Sequence, residues 1–519
     1  MDDGDLPASA PRSTARSTAD PPRATLPPSS PSSPSSPFAA AFAAFWAGGA
    51  PAPVTALLLC GALGVLGGVL LVGYQPGLGV AVVGVLLAAV AVPGLVRRRA
   101  VGDAVTLALA ATLVGVVAVR DAEWVVALSV LVAAGAGAVA LTAARSAPAV
   151  LLGAVSWLLG SIRAVRWVGR GLGALAGARR GQVLGATRSV VVTVLLLLVF
   201  GGLFASADAV FASYLPRLDA DLLPARLVIG ALVAVVAATS LHLSVSPPGW
   251  SGLRPPAPNQ AGRGEWLLPV AALDALVLAF VLVQAGALVG GHAYVLETAG
   301  LGYAQYAREG FAQLVVVTAL TLIVVAVAAR RAPRSTLRDR VVSRVALGVL
   351  CVGTLGVVAS ALRRMDLYVE AFGLTRLRLL VVAAEVAMAA VLVLVLVAGV
   401  RWRGGWLPRA TVQVVAVAMI ALAVVNPDAL IVRHNTTAGL EIPLDLAYLQ
   451  GLSADAVPAM DEVDEPWRTR LLACAVVDDD PAWPAWNLGR ARALEVLDEA
   501  GEPITSGAVP CPQQSGPLD

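Results

Sequence analysis

The chain contains no lysine: all 37 of its basic residues are arginine. That absence removes whole reaction classes. A Walker-type loop needs a lysine against the β- and γ-phosphates, a protein kinase needs its strand lysine, and Schiff-base chemistry needs an amine. A nucleotide is therefore not an expected partner. Metal-binding material is short as well. The four cysteines (Cys60, Cys351, Cys474, Cys511) and three histidines (His242, His292, His434) are scattered, with no pair at metal-ligand spacing. No motif calls for a cofactor. Charged residues make up only 14% of the chain and the net charge is +3, so nucleic acid is not an implied partner either.

What the chain has in excess is apolar sequence: 58% of its residues are hydrophobic and the mean hydropathy is +0.80. A helix needs about 20 apolar residues to cross about 30 Å of hydrocarbon. Runs of that kind lie near 53–73, 77–96, 103–119, 122–143, 188–207, 226–245, 265–291, 310–329, 341–362, 379–400 and 407–427. The expected fold is all-α, a polytopic transmembrane bundle of about 11 spans (range 10–12). A transmembrane barrel would need alternating strands of about ten residues, and no such alternation is present.

The flanks differ from this middle. Residues 1–50 read as a disordered tail, with a Pro/Ser-rich segment over 21–37 that cannot bury a core. The acidic start, Met-Asp-Asp-Gly-Asp, lacks the positive region of a signal peptide, which keeps this tail on the cytoplasmic side. The expected units are then 1–50, four spans over 51–145, a basic amphipathic inner-surface segment over 146–187, seven spans over 188–427, and an outer helical tail over 428–519. Segment 148–178 carries Arg163, Arg166 and Arg170 beside Trp157 and Trp167. It reads as a helix lying on the inner leaflet over anionic headgroups, or equally as a connector between bundles.

Orientation follows from arginine. Connections on the N-terminal side of the membrane hold 21 arginines and those on the other side hold 8, which places the N-terminus inside and the C-terminus outside. The expected location is the plasma membrane.

Candidate chemistry is sparse. Asp274 and Glu385 fall inside predicted spans; Asp274 is about 14 Å deep at about 1.5 Å per residue. Such acids face protein or water because a charge at mid-bilayer is costly, on the order of 3 kcal/mol. They suit a proton- or cation-coupled pathway, or alternatively a hydrogen-bonded tie to Gln284, Gln313 or Gln413. His242, near the inner end of its helix, reads as structural. Gly249-Trp-Ser-Gly252 matches an intramembrane serine-protease pattern, but in a Pro-rich loop with no suitable histidine. On the expected outer side, Arg308, Glu309, Arg363, Arg364, Asp366, Glu370, Arg376 and Arg378 form a candidate binding cluster, since arginine there runs against the topology signal. A guanidinium fork matches phosphate, so an anionic lipid or an envelope protein is the expected partner beside the bilayer itself. Cys474 and Cys511 share the outer tail and are the candidate disulfide.

Three strings carry a family resemblance: 297–311, 363–378, and the tail stretch Asp445-Leu-Ala-Tyr448-Leu-Gln-Gly-Leu-Ser453-Ala-Asp455-Ala-Val-Pro458. Over about 188–500 the chain resembles an uncharacterised bacterial multi-pass membrane family, a domain of unknown function of the four-one-seven-three type. The resemblance implies a multi-pass fold and carries no activity, substrate or site residue. Three functions stay open: a non-enzymatic envelope scaffold, sensor or partner-binding component; a proton- or cation-coupled transporter or channel; and an enzyme on lipid-linked substrates using outer acids such as Asp366 and Glu370. The first outer connection, near Tyr74-Gln75-Pro76, is too short for the carboxylate-bearing loop of polytopic glycosyltransferases, which ranks the enzyme last.

Overall fold

The computed structural model describes residues 46, 50–178, 180–208, 220–248, 263–299, 311–333, 335–440, 443–478 and 480–500. Among these residues every regular element is helical. Among the described residues, nine helices are long and apolar enough to cross a membrane, or ten if a bent pair counts as one span. The eleven expected runs include two that fall short. One is the 17-residue helix Val54–Leu70, and the other is an apolar stretch of ten residues, Leu195–Phe204. The chain is a multi-pass helical membrane protein.

The helices of the bundle begin with α1 (Val54–Leu70), α2 (Leu78–Ala89) continued by α3 (Val92–Arg97), α4 (Val101–Gly115) and α5 (Glu123–Leu141). After these come α6 (Ala147–Ala178), α7 (Arg180–Ala207), α8 (Leu223–Val245) and α9 (Arg263–Ala299). The last four are α10 (Phe311–Arg331), α11 (Leu337–Phe372), α12 (Arg376–Arg401) and α13 (Leu407–Val425).

Their packing follows residue size. Helices α1 and α8 cross closely because glycines meet at the crossing. A Cβ on Gly68 would lie 2.5 Å from the Arg226 carbonyl oxygen, and one on Gly64 would lie 2.8 Å from that of Gly230. In lipid, where apolar contact alone drives little association, such close backbone approach supplies the packing. Bulkier residues fill the other two groups. Leu350, Val357 and Leu392 centre the α9–α12 core, while Leu113, Val125 and Ala416 join α4, α5 and α13.

Helix α6 lies along one end of the bundle. Its Ala149 packs with Val139 in the last turn of α5 and with Ala144 just beyond it. The Trp167 carbonyl accepts from the Ala52 amide, and Arg163 reaches Ser246 beyond the end of α8 at 3.2 Å. His242 is buried against the Trp167 ring, with centroids 5.0 Å apart. A bend of 56° separates Ala147–Gly153 from the rest of the helix.

Beyond Val425 the chain turns at Asn426, held in the left-handed region at φ 56°, and folds as a cap on the other end. The cap comprises α14 (Pro427–Thr437), α15 (Leu446–Gln450), α16 (Val457–Asp461), α17 (Trp467–Leu472) and α18 (Leu488–Ala500). It has its own apolar core around Ile431, Val432, Leu449, Met460 and Leu471.

Candidate functional site: the seam between cap and membrane helices

A helix end leaves four N–H or four C=O groups without intrahelical partners, and at a membrane boundary these groups need water or protein. At the cap end, protein supplies many of them. Arg120, in the connection between α4 and α5, donates from Nε to the Ala423 carbonyl (2.6 Å) and from Nη2 to that of Val424 (3.0 Å). A cation thereby sits at the negative end of the α13 dipole. Asn487 of the cap donates from Nδ2 to the Val117 and Arg120 carbonyls, each at 2.9 Å, closing the end of the α4 rod. The Leu78 amide at the start of α2 donates to the Trp486 carbonyl at 2.8 Å.

Two buried carboxylates anchor the seam. Asp428, fully buried, accepts from Arg376 Nε (3.1 Å) and Nη2 (2.7 Å), from the Ser453 amide (3.0 Å) and hydroxyl (2.8 Å), and from Trp124 Nε1 (3.3 Å). Burial pushes its pKa up, but the hydrogen bonds and charge of Arg376, together with Ser453, outweigh that and hold it below the usual carboxylate range. Asp455 accepts from the Asp121 amide (2.8 Å) and the Ala122 amide (2.9 Å) with one oxygen, just ahead of α5, an end with no side-chain cap of its own. Its other oxygen lies 3.8 Å from Arg120. Burial dominates here, lifting its pKa to about 6 against the opposing pull of the two amides and Arg120.

Smaller contacts complete the seam. The Tyr448 hydroxyl accepts from the Arg376 amide at 2.9 Å, and Asn435 pairs with both backbone groups of Leu374. Gly373, at φ 76°, is required there because a Cβ would lie 2.8 Å from the Asn435 side-chain oxygen. Arg490 bonds Asp121 at 2.7 Å and the Pro76 carbonyl at 2.9 Å. Between cap and bundle a cavity of about 730 Å³ opens, lined by Gln75, Glu123, Val126, Val476 and Asp478 among others.

The described members of the expected binding cluster have different partners. Arg376 faces the buried Asp428. Arg378 donates to the Phe372 and Gly373 carbonyls and stacks on Tyr368 at 4.1 Å. Arg363 pairs with Asp366 at 2.6 Å in an exposed i,i+3 contact; Glu370 is exposed and Arg364 half-buried. Arg308 and Glu309 lie outside the described residues, as do Gly249–Gly252. Glu385 is buried on α12 and neither carboxylate oxygen has a hydrogen-bond partner among the described residues; one oxygen of the half-buried Asp274 is likewise unpartnered. Gln413 bonds Gly102 and Thr106 and so is committed elsewhere. Cys60 and Cys351 are buried free thiols and Cys474 is disulfide-bonded, while Cys511 lies outside the described residues. No cluster of three or more metal-binding side chains occurs among the described residues.

Asp428, Arg120, Asp121, Asn487 and Arg490 were missed by sequence reasoning. The available signals were local: an Arg-Asp pair just ahead of a helix start at Glu123, and an Asn-Pro-Asp step where the last apolar run ends.

A family model described as "Domain of unknown function (DUF4153)" matches residues 108–463. The chain belongs to this family. Its number corrects the type to which the three strings were likened, and the match starts at α4, well ahead of residue 188. No curated protein and no solved structure matches the chain.

Proposed function

We propose that this DUF4153 protein is a non-enzymatic membrane component that holds its C-terminal cap rigidly on the bundle and presents the cleft beside it to a partner. The observation that carries the reading is the buried seam through Asp428 and Asp455. A flexible appendage would need no buried carboxylates, and stranding either one would be costly. The cleft has acids at its rim in Glu123 and Asp478 and apolar surface from Val126 and Val476. The proposal includes a cap on the outside of a plasma membrane and an N-terminus inside. Reporter fusions at residues 40 and 515 then report opposite sides; both reporting the cytoplasm defeats that orientation.

The test of the cleft is purification of the full chain from native membrane in mild detergent, with bound proteins and lipids identified. Charge reversal by Glu123→Arg with Asp478→Arg is expected to abolish a specific partner at unchanged thermal stability. A wild-type protein that brings down the same set as the double variant rules the cleft out.

Glu385 supports a second reading, coupled transport. A fully buried carboxyl without a partner is the kind of group that binds a proton or cation inside a membrane. Glu385→Gln in proteoliposomes is expected to abolish proton-driven flux; absence of any flux in the wild type excludes it.

A further inference from the structure

The end of the bundle remote from the cap holds a polar notch of about 360 Å³ lined by Arg99, Arg145 and Arg409 with Gly102 and Trp406. The three arginines come from three connections far apart in sequence: α3 to α4, α5 to α6, and the first turn of α13. One acid answers them. Asp103, fully buried, lies 3.2 Å from Arg409 and fixes that side chain over the backbone of α4. The fit is tight enough that a Cβ on Gly102 would lie 2.2 Å from the Arg409 guanidinium carbon. Arg99 and Arg145 are exposed and make no side-chain hydrogen bond or ion pair among the described residues. Arg98, behind them, adds a further positive charge, its own pKa lowered by burial and by Arg145 against the pull of Asp103.

The backbone adds to this field. Helices α4 and α13 both start at the notch, at Val101 and Leu407, and neither start has a side-chain cap. Their positive dipole ends favour an anion there. Arg99 itself is held in the left-handed region at φ 50°. The surroundings are those of a bilayer boundary: Val101 is 74% exposed and Trp406 half-buried, and tryptophan prefers the headgroup level.

We propose that this notch binds a phosphate group through Arg99 and Arg145, with Arg409 held ready by Asp103. Guanidinium forks match phosphate oxygens in a way that a scattered positive surface does not. The same chemistry occurs in an anionic lipid headgroup and in free phosphate, and the exposed apolar rim favours the lipid.

The experiment uses the full chain in bilayer nanodiscs of phosphatidylcholine with or without phosphatidylglycerol, and inorganic phosphate titrated calorimetrically into the detergent-solubilised protein. Lipid retained after extraction is read by native mass spectrometry. Arg99→Gln with Arg145→Gln removes two exposed charges that the fold does not use. Arg330→Gln with Arg331→Gln removes two exposed charges from the same end, away from the notch. The wild type and the control pair are expected to retain phosphatidylglycerol at least tenfold over phosphatidylcholine, and the notch pair to lose that preference at an unchanged melting temperature. Phosphate binding that phosphatidylglycerol does not displace, lost in the notch pair only, assigns the notch to a soluble anion. Equal losses in both pairs, or no preference in the wild type, overturn the site. Arg145→Gln alone repeats the test should the double variant unfold.

Discussion

The two ends of the bundle handle arginine in opposite ways. At the cap end, Arg120 and Arg376 each face a buried carboxylate, and several helix ends are closed by side chains from elsewhere in the chain. At the far end Asp103 is the one acid among the described residues that pairs with an arginine of the notch, and the starts of α4 and α13 carry no side-chain cap. The difference teaches where affinity resides. Arg120 and Arg376, which meet buried acids and backbone carbonyls together, are structural because their hydrogen bonds are already used. A cation left over beside uncapped helix starts has bonds to give.

The sharpest way to break this contrast is at Asp428. Asp428→Ala strands Arg376 and three other donors, and is expected to cost about 3–5 kcal/mol, the usual loss on removing one partner of a buried pair. Thermal unfolding in detergent together with proteolysis of the cap would show it. Arg376→Gln should follow closely, whereas Arg363→Gln should change stability by less than about 1 kcal/mol because its pair is exposed. Equal effects from the two would mean that the outer arginines act as one network after all.

The next effect is a pH signature with two signs. The folded chain binds the Asp455 proton more tightly than the unfolded chain, with a pKa of about 6 against an ordinary value of 3.8. Its contribution therefore makes stability fall as pH rises through that window. Asp428, held below its ordinary value, stabilises the fold above the carboxylate range, and this is lost as pH falls through it. Melting temperatures from pH 4 to 7 should thus lose a downward component in Asp455→Asn. An unchanged profile would show that Asp455 titrates as an ordinary surface acid.

A smaller effect is expected at Asn487, where Asn487→Ala leaves two backbone carbonyls without their donor at a cost of about 1–3 kcal/mol. The smallest should come from Arg433→Gln, since its partner Glu462 is equally exposed; about 0.5 kcal/mol is an ample allowance. A melting curve for each, against the wild type, ranks the seam contact by contact.

Much of this architecture could be read from the residues. The apolar runs located the membrane helices, since a run of about 20 apolar residues has few other uses. Of the two that fell short, Val54–Leu70 did so because a composition window does not register where helical hydrogen bonding stops, whereas Leu195–Phe204 is the apolar part of the longer helix α7. The tail string that carries the family resemblance includes Tyr448, Ser453 and Asp455, and all three residues belong to the seam. Their partners could not be read. Arg120 and Ala423, or Asn487 and Val117, are joined across hundreds of residues, and neither hydrophobic period nor cap signals carry pairing information over that distance. The role of Arg376 was hidden for the same reason: as a sequence element it is one arginine among five in an expected cluster, and only Asp428 distinguishes it.

The Asn487 contact also sets an order of events. Its amide closes the end of a helix made some 370 residues earlier in the chain. At about 5–20 residues per second, that helix end waits about 20–70 s for its partner during synthesis. Through that interval the carbonyls of Val117 and Arg120 must be served by water or by lipid headgroups, and Asp121 lacks Arg490. Assembly is thus finished from the last-made segment backward. A chain stopped short of residue 487 would have all of its bundle helices and none of the closures that Asn487 and Arg490 supply, a difference that a quality-control protease acting at the membrane surface could read.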